Sequence, residues 1–341
     1  MNAKERFLNT LNRKPVDRPS VAAVATGITV GMMEKRGIFW PEAHKDPDLL
    51  AGLAESIYLY TDIDNIKLPF DMAVEVEALG AEINYRTIDT LPTEVRHIYD
   101  HPDQLVIPKD FLDRGRVPVA LKAISKLHKR YKDEAPIVAL TDEPFTIAAK
   151  LFGFNNFLMW IITNPEWVHQ IMAKLTPLAI KYATAEVEAG ADAIILGGAT
   201  CSRDLISSET YRDFIMPYHK QLCPAIPAPT ILHICGKSTG HLPYIVQTGT
   251  TCYNFDEGVD IKEAVKILKG KVLISGYVPA VSVMLQGTPE EVYRSSIECL
   301  DNGVELLTPG CALPAHTPLE NIAAMTQAAK DWGREHAEIF S

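Results

Sequence analysis

From residue 116 onward, short apolar runs alternate with longer stretches whose apolar positions recur at helical spacing. Val117–Tyr131 reads as a helix ahead of the strand Pro136-Ile-Val-Ala-Leu140. Helices fill 144–189, and Ala189-Gly-Ala-Asp-Ala-Ile-Ile-Leu196 closes that unit with a strand. A helix near 208–222 leads to the strand 230–234, and a short helix near 238–248 leads to Thr251-Cys-Tyr-Asn-Phe255. Ile261–Leu268 is helical and precedes Lys271-Val-Leu-Ile-Ser275. The helix Thr288–Asn302 then leads to Val304-Glu-Leu-Leu-Thr308, and a last helix runs from 318 to about 336.

The first third is less regular. Residues 3–13 read as an amphipathic helix, with Phe7, Leu8 and Leu11 on one face and Pro15 stopping it. Val16–Val24 reads as a strand entered through a turn, 47–60 as a long helix, and Asp62–Leu68 as a second strand. Residues 71–110 look β-rich and irregular, with Ala81-Glu-Ile-Asn-Tyr85 alternating, so an insertion is expected at 71–115. Strands beginning near 19, 62, 136, 192, 230, 251, 271 and 304 make eight, nearly all separated by helices. The later ones are near-continuous apolar runs, as strands covered on both faces should be. Eight such repeats, with no Gly-rich dinucleotide fingerprint after any strand, favour a (β/α)8 TIM barrel over a doubly wound α/β sheet. The whole of 1–341 is expected to be one domain, with 1–70 carrying an N-terminal helical segment and the first strands.

Composition narrows the class. The 341 residues are 47% hydrophobic and 22% charged, an ordinary globular balance able to bury a sizeable core. A net charge of -10 argues against general nucleic-acid binding, and the basic run Lys122–Lys132 reads as a solvated helix face. No window approaches the roughly 18 continuous apolar residues of a membrane span. The start Met1-Asn-Ala-Lys-Glu-Arg6 is no signal peptide, and the six cysteines are widely spaced. Reduced thiols and a cytoplasmic setting are therefore expected.

Candidate chemistry centres on Thr230-Ile-Leu-His-Ile-Cys-Gly236. On a strand, His233 and Cys235 are two apart and project to the same side, offering an imidazole and a soft thiolate to a zinc ion. Downstream, Leu306-Leu-Thr-Pro-Gly-Cys311 ends a second apolar run in a cysteine. His233, Cys235 and Cys311 leave one tetrahedral position open, the pattern of a catalytic zinc site. Cys235, Asp256 and Cys311 all fall at C-terminal ends of predicted strands, the face where barrel active sites are built. Two thiolates make zinc electron-rich, a poor generator of hydroxide but suited to holding a substrate thiol as thiolate. Alkyl transfer to sulfur follows as the expected reaction. Asp256 is read in three ways: capping the empty metal position, taking up the thiol proton, or capping a loop.

Pro15-Val-Asp-Arg-Pro19, Trp40-Pro-Glu-Ala-His44, Pro217-Tyr218, His233-Ile-Cys-Gly236 and Leu307-Thr-Pro-Gly-Cys311 together resemble the uroporphyrinogen decarboxylase superfamily over nearly the whole chain. Within it the likeness is to methylcobamide:coenzyme M methyltransferases. The resemblance implies a barrel, zinc on His233, Cys235 and Cys311, and Asp256 where a labile carboxylate ligand would fall. It implies a methylated corrinoid, carried on a separate small protein, as methyl donor, and a small thiol such as coenzyme M as acceptor. Alternatives within the same superfamily are a corrinoid-dependent demethylase, a methylcorrinoid:tetrahydrofolate methyltransferase, and a non-catalytic tetrapyrrole-binding relative. The segment Ser20-Val-Ala-Ala-Val-Ala-Thr-Gly27 lacks the arginines that mark the true decarboxylases.

Two stretches depart from that pattern. Asp142-Glu143-Pro144-Phe145 stands where a small residue and Gly precede Pro-Phe, and Gly197-Gly198-Ala-Thr-Cys201 stands where Asp-Pro is common. Asp142 and Glu143 are expected to make the mouth of the site acidic. Cys201, His241, His316, Tyr218 and Tyr277 are expected to be non-ligand loop or packing residues. Met32, Met33 and Met284 fit either the core or an apolar mouth for a corrin ring.

Overall fold

The computed structural model describes residues 1–339. The described residues form ten strands: β1 (Ser20–Val21), β2 (Ile66–Leu68), β3 (Ile83–Asn84), β4 (Thr93–Glu94), β5 (Ile137–Asp142), β6 (Ala193–Gly197), β7 (Thr230–Ile234), β8 (Cys252–Phe255), β9 (Leu273–Val278) and β10 (Leu306–Pro309). Eight lie in one parallel sheet in the order β1-β10-β9-β8-β7-β6-β5-β2, with helices in the connections. These eight are the strands expected from the sequence, each shifted by a few residues at most. The arrangement is a (β/α)8 barrel.

The sheet closes by an unusual seam. No backbone ladder joins β1 to β2. Instead the Asp64 N–H donates to the Val21 carbonyl at 2.8 Å, and the Val21 N–H donates to the Asp64 carboxylate at 2.9 Å. Asn65 continues the seam: its side-chain oxygen accepts from the Ala23 N–H and its amide donates to the Ala23 carbonyl. Side chains thus satisfy backbone groups that would otherwise be buried without partners.

Alternation along the strands sorts the core into two parts. Val138, Leu140, Ala193, Ile195, Ile231, Cys252, Leu273 and Leu306 fill the barrel interior, plugged from below by Phe7 and Leu11 of the helix Ala3–Leu11. Outward residues such as Leu196, Leu232, Ile234 and Phe255 pack against the helices in a separate, larger cluster. Position 233 shares its face with inward Ile231, so the fold alone aims His233 into the barrel.

Three expectations change in detail. The long helix at 47–60 is two helices, Pro47–Ala54 and Ser56–Thr61. Glu55 at the break is buried and receives hydrogen bonds from Arg36, Arg130 and Tyr131. Residues 71–110 are less β-rich than their alternation suggests: they hold the helix Val74–Ala78 and one short antiparallel ladder, β3 with β4. An Asx turn, in which the Asp71 carboxylate accepts from the Ala73 N–H, leads into that helix. Met32, Met33 and Met284 are all fully buried, so they pack the core and line no mouth.

Candidate metal centre

The side chains of His233, Cys235 and Cys311 meet at the C-terminal end of the barrel. His233 Nε2 lies 3.1 Å from Cys235 Sγ, the two sulfurs are 3.3 Å apart, and Cys311 Sγ is 3.9 Å from Nε2. Among the described residues this is the one cluster of at least three His, Cys, Asp or Glu side chains able to converge on a single ion. All six cysteines are free thiols.

The imidazole is held from behind. His233 Nδ1 sits 2.5 Å from Asn254 Oδ1, and the Asn254 amide donates to Ser275 Oγ at 3.0 Å and to Thr308 Oγ1 at 2.7 Å. Asn254, Ser275 and Thr308 are all fully buried on β8, β9 and β10. The chain of bonds sets Nδ1 as the donor and leaves the Nε2 lone pair facing the two sulfurs, the arrangement metal-binding histidines share. Burial works against the charged His233 ring, but the Cys311 and Asn254 bonds outweigh it and raise its pKa. The Cys311 thiol donates to Cys235 and lowers that neighbour's pKa, while its own is raised by the same bond. A divalent cation held between them would bind both sulfurs as thiolates.

Asn254 was not singled out by its sequence, because nothing in Cys252-Tyr-Asn-Phe255 marks one inward residue above another. Replacing it with leucine is expected to weaken zinc binding by about 10–100-fold, the usual cost of losing an outer-shell partner. Competition against a chelator of known affinity measures it. Unchanged affinity would mean that Asn254 does not orient His233.

Asp256 stands beside the cluster and outside it. One carboxylate oxygen accepts from the Gly236 N–H and the other from the Gly258 N–H at 2.8 Å. Gly310 packs so closely against it that a Cβ there would lie 2.8 Å from the Asp256 Cα. The carboxylate therefore clamps the residue after Cys235 against the residue before Cys311.

The acidic mouth expected from Asp142 and Glu143 does not form. Glu143 is fully buried and caps the helix Pro144–Phe152, accepting from the Phe145 and Thr146 N–H groups at 2.8 and 2.5 Å. Its remaining contacts are Cys201 Sγ and His219 Nε2, each at 3.3 Å. Asp142 pairs with Lys150 Nζ at 2.8 Å. The two stretches that depart from the resembled pattern thus touch each other through Glu143 and Cys201.

The other named residues stay outside the cluster. Cys201 is buried, and burial followed by the nearby Glu143 raises its thiol pKa well above the ordinary value. His241 donates from Nε2 to the Cys201 carbonyl, lies 3.2 Å from Ser208 Oγ through Nδ1, and stacks on Tyr211. His316 is largely exposed, 3.6 Å from Asp89. Tyr218 bonds to His169, and Tyr277 accepts from Asn302. No single described helix is long and apolar enough to cross a membrane.

Comparison with known proteins agrees with this geometry. The family described as "Uroporphyrinogen decarboxylase (URO-D)" matches residues 2–332. A "Methylcobamide:CoM methyltransferase MtbA" of Methanosarcina mazei is 35% identical over 337 residues, covering 96% of this chain and 98% of that protein. A "Methylated-thiol--coenzyme M methyltransferase" from the same organism is 35% identical over 292 residues, covering 86% and 79%. A solved "methyltransferase from Methanosarcina mazei" superposes with a TM-score of 0.95 at 31% identity, covering 97% of this chain and 99% of that one.

Proposed function

We propose a function from one premise: this chain belongs to the uroporphyrinogen decarboxylase family, and its named relatives at about 35% identity are methyltransferases. The chain is a methyltransferase that moves a methyl group from a methylated corrinoid to the thiol of coenzyme M. The single observation that carries the reading is the convergence of His233 Nε2, Cys235 Sγ and Cys311 Sγ at a barrel mouth. The donors fit zinc in kind and number: one imidazole whose other nitrogen is already committed, two thiols, and room for a fourth ligand.

Bound there, zinc supplies a place where the acceptor thiol is held as its thiolate at neutral pH. The residues themselves do the rest. His233, fixed by Asn254, sets the position of the ligand face, and the Asp256 clamp holds the two cysteine loops at one separation. In the transfer the methyl carbon forms a bond to sulfur while the cobalt–carbon bond breaks, and both electrons of that bond remain on cobalt. The thiol proton leaves before transfer, and we assign its uptake to Asp256, the carboxylate beside the cluster. The methyl donor comes on a separate corrinoid protein, and the setting is cytoplasmic.

Loss of methylcobalamin absorbance in the presence of purified protein, zinc and coenzyme M tests the reading. Turnover is expected only when the thiol is present. Full zinc occupancy with no turnover, on coenzyme M or homocysteine, would replace thiol methylation with demethylation toward cob(I)alamin.

A further inference from the structure

Asp142 ends β5 facing inward, and one of its oxygens has nothing to do. It is 1% exposed. Its Oδ2 accepts from Lys150 Nζ at 2.8 Å, while its Oδ1 is buried with no hydrogen-bond partner. Leaving such an oxygen bare is unfavourable, and more so on a charged group. Burial pushes its carboxyl up to about 6, with Lys150 opposing.

The free oxygen points along the strand row that leads to His233. Asp142 is in register with Gly197 on β6, and Gly197 with His233 on β7, so all three occupy one inward row. Two strand spacings put Asp142 and His233 roughly 10 Å apart along the sheet. Between them Gly197 offers no side chain, and a Cβ there would lie 3.2 Å from Asp142 Oδ1. That same Cβ would lie 2.6 Å from Met72 Cε, so the space is filled now by the tip of a half-buried methionine, an adaptable and displaceable filler. With the Met72 tip moved aside, this row would take the tail of a short thiol bound through sulfur beside His233.

We infer that Asp142 is a specificity-determining residue whose free Oδ1 accepts a hydrogen bond from the far end of the acceptor, so that a short thiol carrying an amine is taken in addition to coenzyme M. The inference rests on the thiol-methylation reading and sharpens its choice of thiol. A sulfonate has no hydrogen to donate and leaves Oδ1 bare; an ammonium satisfies it. Asp142→Asn reverses the preference, because the Lys150 ammonium requires the amide oxygen and turns the amide N–H2 toward the row.

Calorimetric titration of zinc-loaded protein with 2-aminoethanethiol, propane-1-thiol and coenzyme M reads this without any corrinoid. Wild-type protein is expected to bind 2-aminoethanethiol about tenfold or more tighter than the isosteric propane-1-thiol, the worth of one hydrogen bond to a charged group. In Asp142→Asn the ratio of 2-aminoethanethiol to coenzyme M affinity is expected to fall by about tenfold or more. A wild-type ratio near one against propane-1-thiol, or an affinity ratio unmoved by the substitution, overturns the inference. So does failure of every thiol to bind. Thiol binding with the expected ratios but no loss of methylcobalamin would instead overturn the methyl-transfer reading alone.

Discussion

Cys311→Ser protein is expected to lose its zinc on dialysis and to demethylate methylcobalamin about a thousandfold more slowly, while keeping its fold. The expectation of a large effect follows from the ligand count. A catalytic zinc keeps only three protein ligands, so removing one thiolate leaves a two-ligand site. Loss of an outer-shell partner alone costs about 10–100-fold in affinity, and a direct ligand must cost more. The fold is expected to survive because Cys311 follows the end of β10 and is only partly buried, and the barrel layers beneath it are untouched. Metal content per chain, the far-ultraviolet circular dichroism and the cobalamin rate are the three readouts. A variant that retained stoichiometric zinc and half its rate would remove Cys311 from the centre. A variant that lost both metal and dichroism would make the site structural and not catalytic.

Asp64→Leu is expected to be the most damaging single change to the fold. Asp64 lies at the seam between β1 and β2, 1% exposed. Its Oδ1 receives Arg6 Nη1 at 2.8 Å and Arg18 Nη2 at 2.9 Å. Its Oδ2 receives Arg18 Nη1, Ser20 Oγ and the Val21 N–H. Taking away the carboxylate leaves the buried Arg18 guanidinium without its acidic partner, removes one of the two carboxylates that hold Arg6, and strips the Ser20 hydroxyl and one strand N–H of their acceptor. Breaking a buried pair from one side costs about 3–5 kcal/mol. The seam has no backbone ladder to fall back on, so the loss is expected at the upper end of that range, with the melting temperature lowered by roughly 5 °C or more. Melting followed by dichroism measures it. A variant melting within a degree of wild type would show that Asn65 and the residue-64 N–H to Val21 suffice to close the barrel.

The alternation of apolar runs and amphipathic stretches was enough to place eight strands and most helices, because helix and strand periods are local properties of the chain. The helix at Val117–Tyr131 and the helix at Ile261–Leu268 fall where that period puts them. The candidate metal cluster was legible for a related reason: His233 and Cys235 share one strand face by spacing, and Cys311 ends another apolar run. Asn254 left no such trace, since its importance lies in reaching His233 across 21 positions of sequence.

The expectation of an acidic mouth failed on the same ground. Sequence shows that Asp142 and Glu143 carry charge; it does not show that Lys150 and His219 stand against them. Likewise the helix at 47–60 breaks at Glu55, whose carboxylate is bound by residues far along the chain, Arg130 and Tyr131. What this sequence determined by itself is what short-range spacing can encode: the barrel's repeat, the face on which His233 and Cys235 lie, and the thiol-directed character of the site. What only the tertiary structure decided is which charges are cancelled and which oxygen is left bare, since burial brings together groups that the chain keeps far apart, and an unmatched polar atom is costly only there.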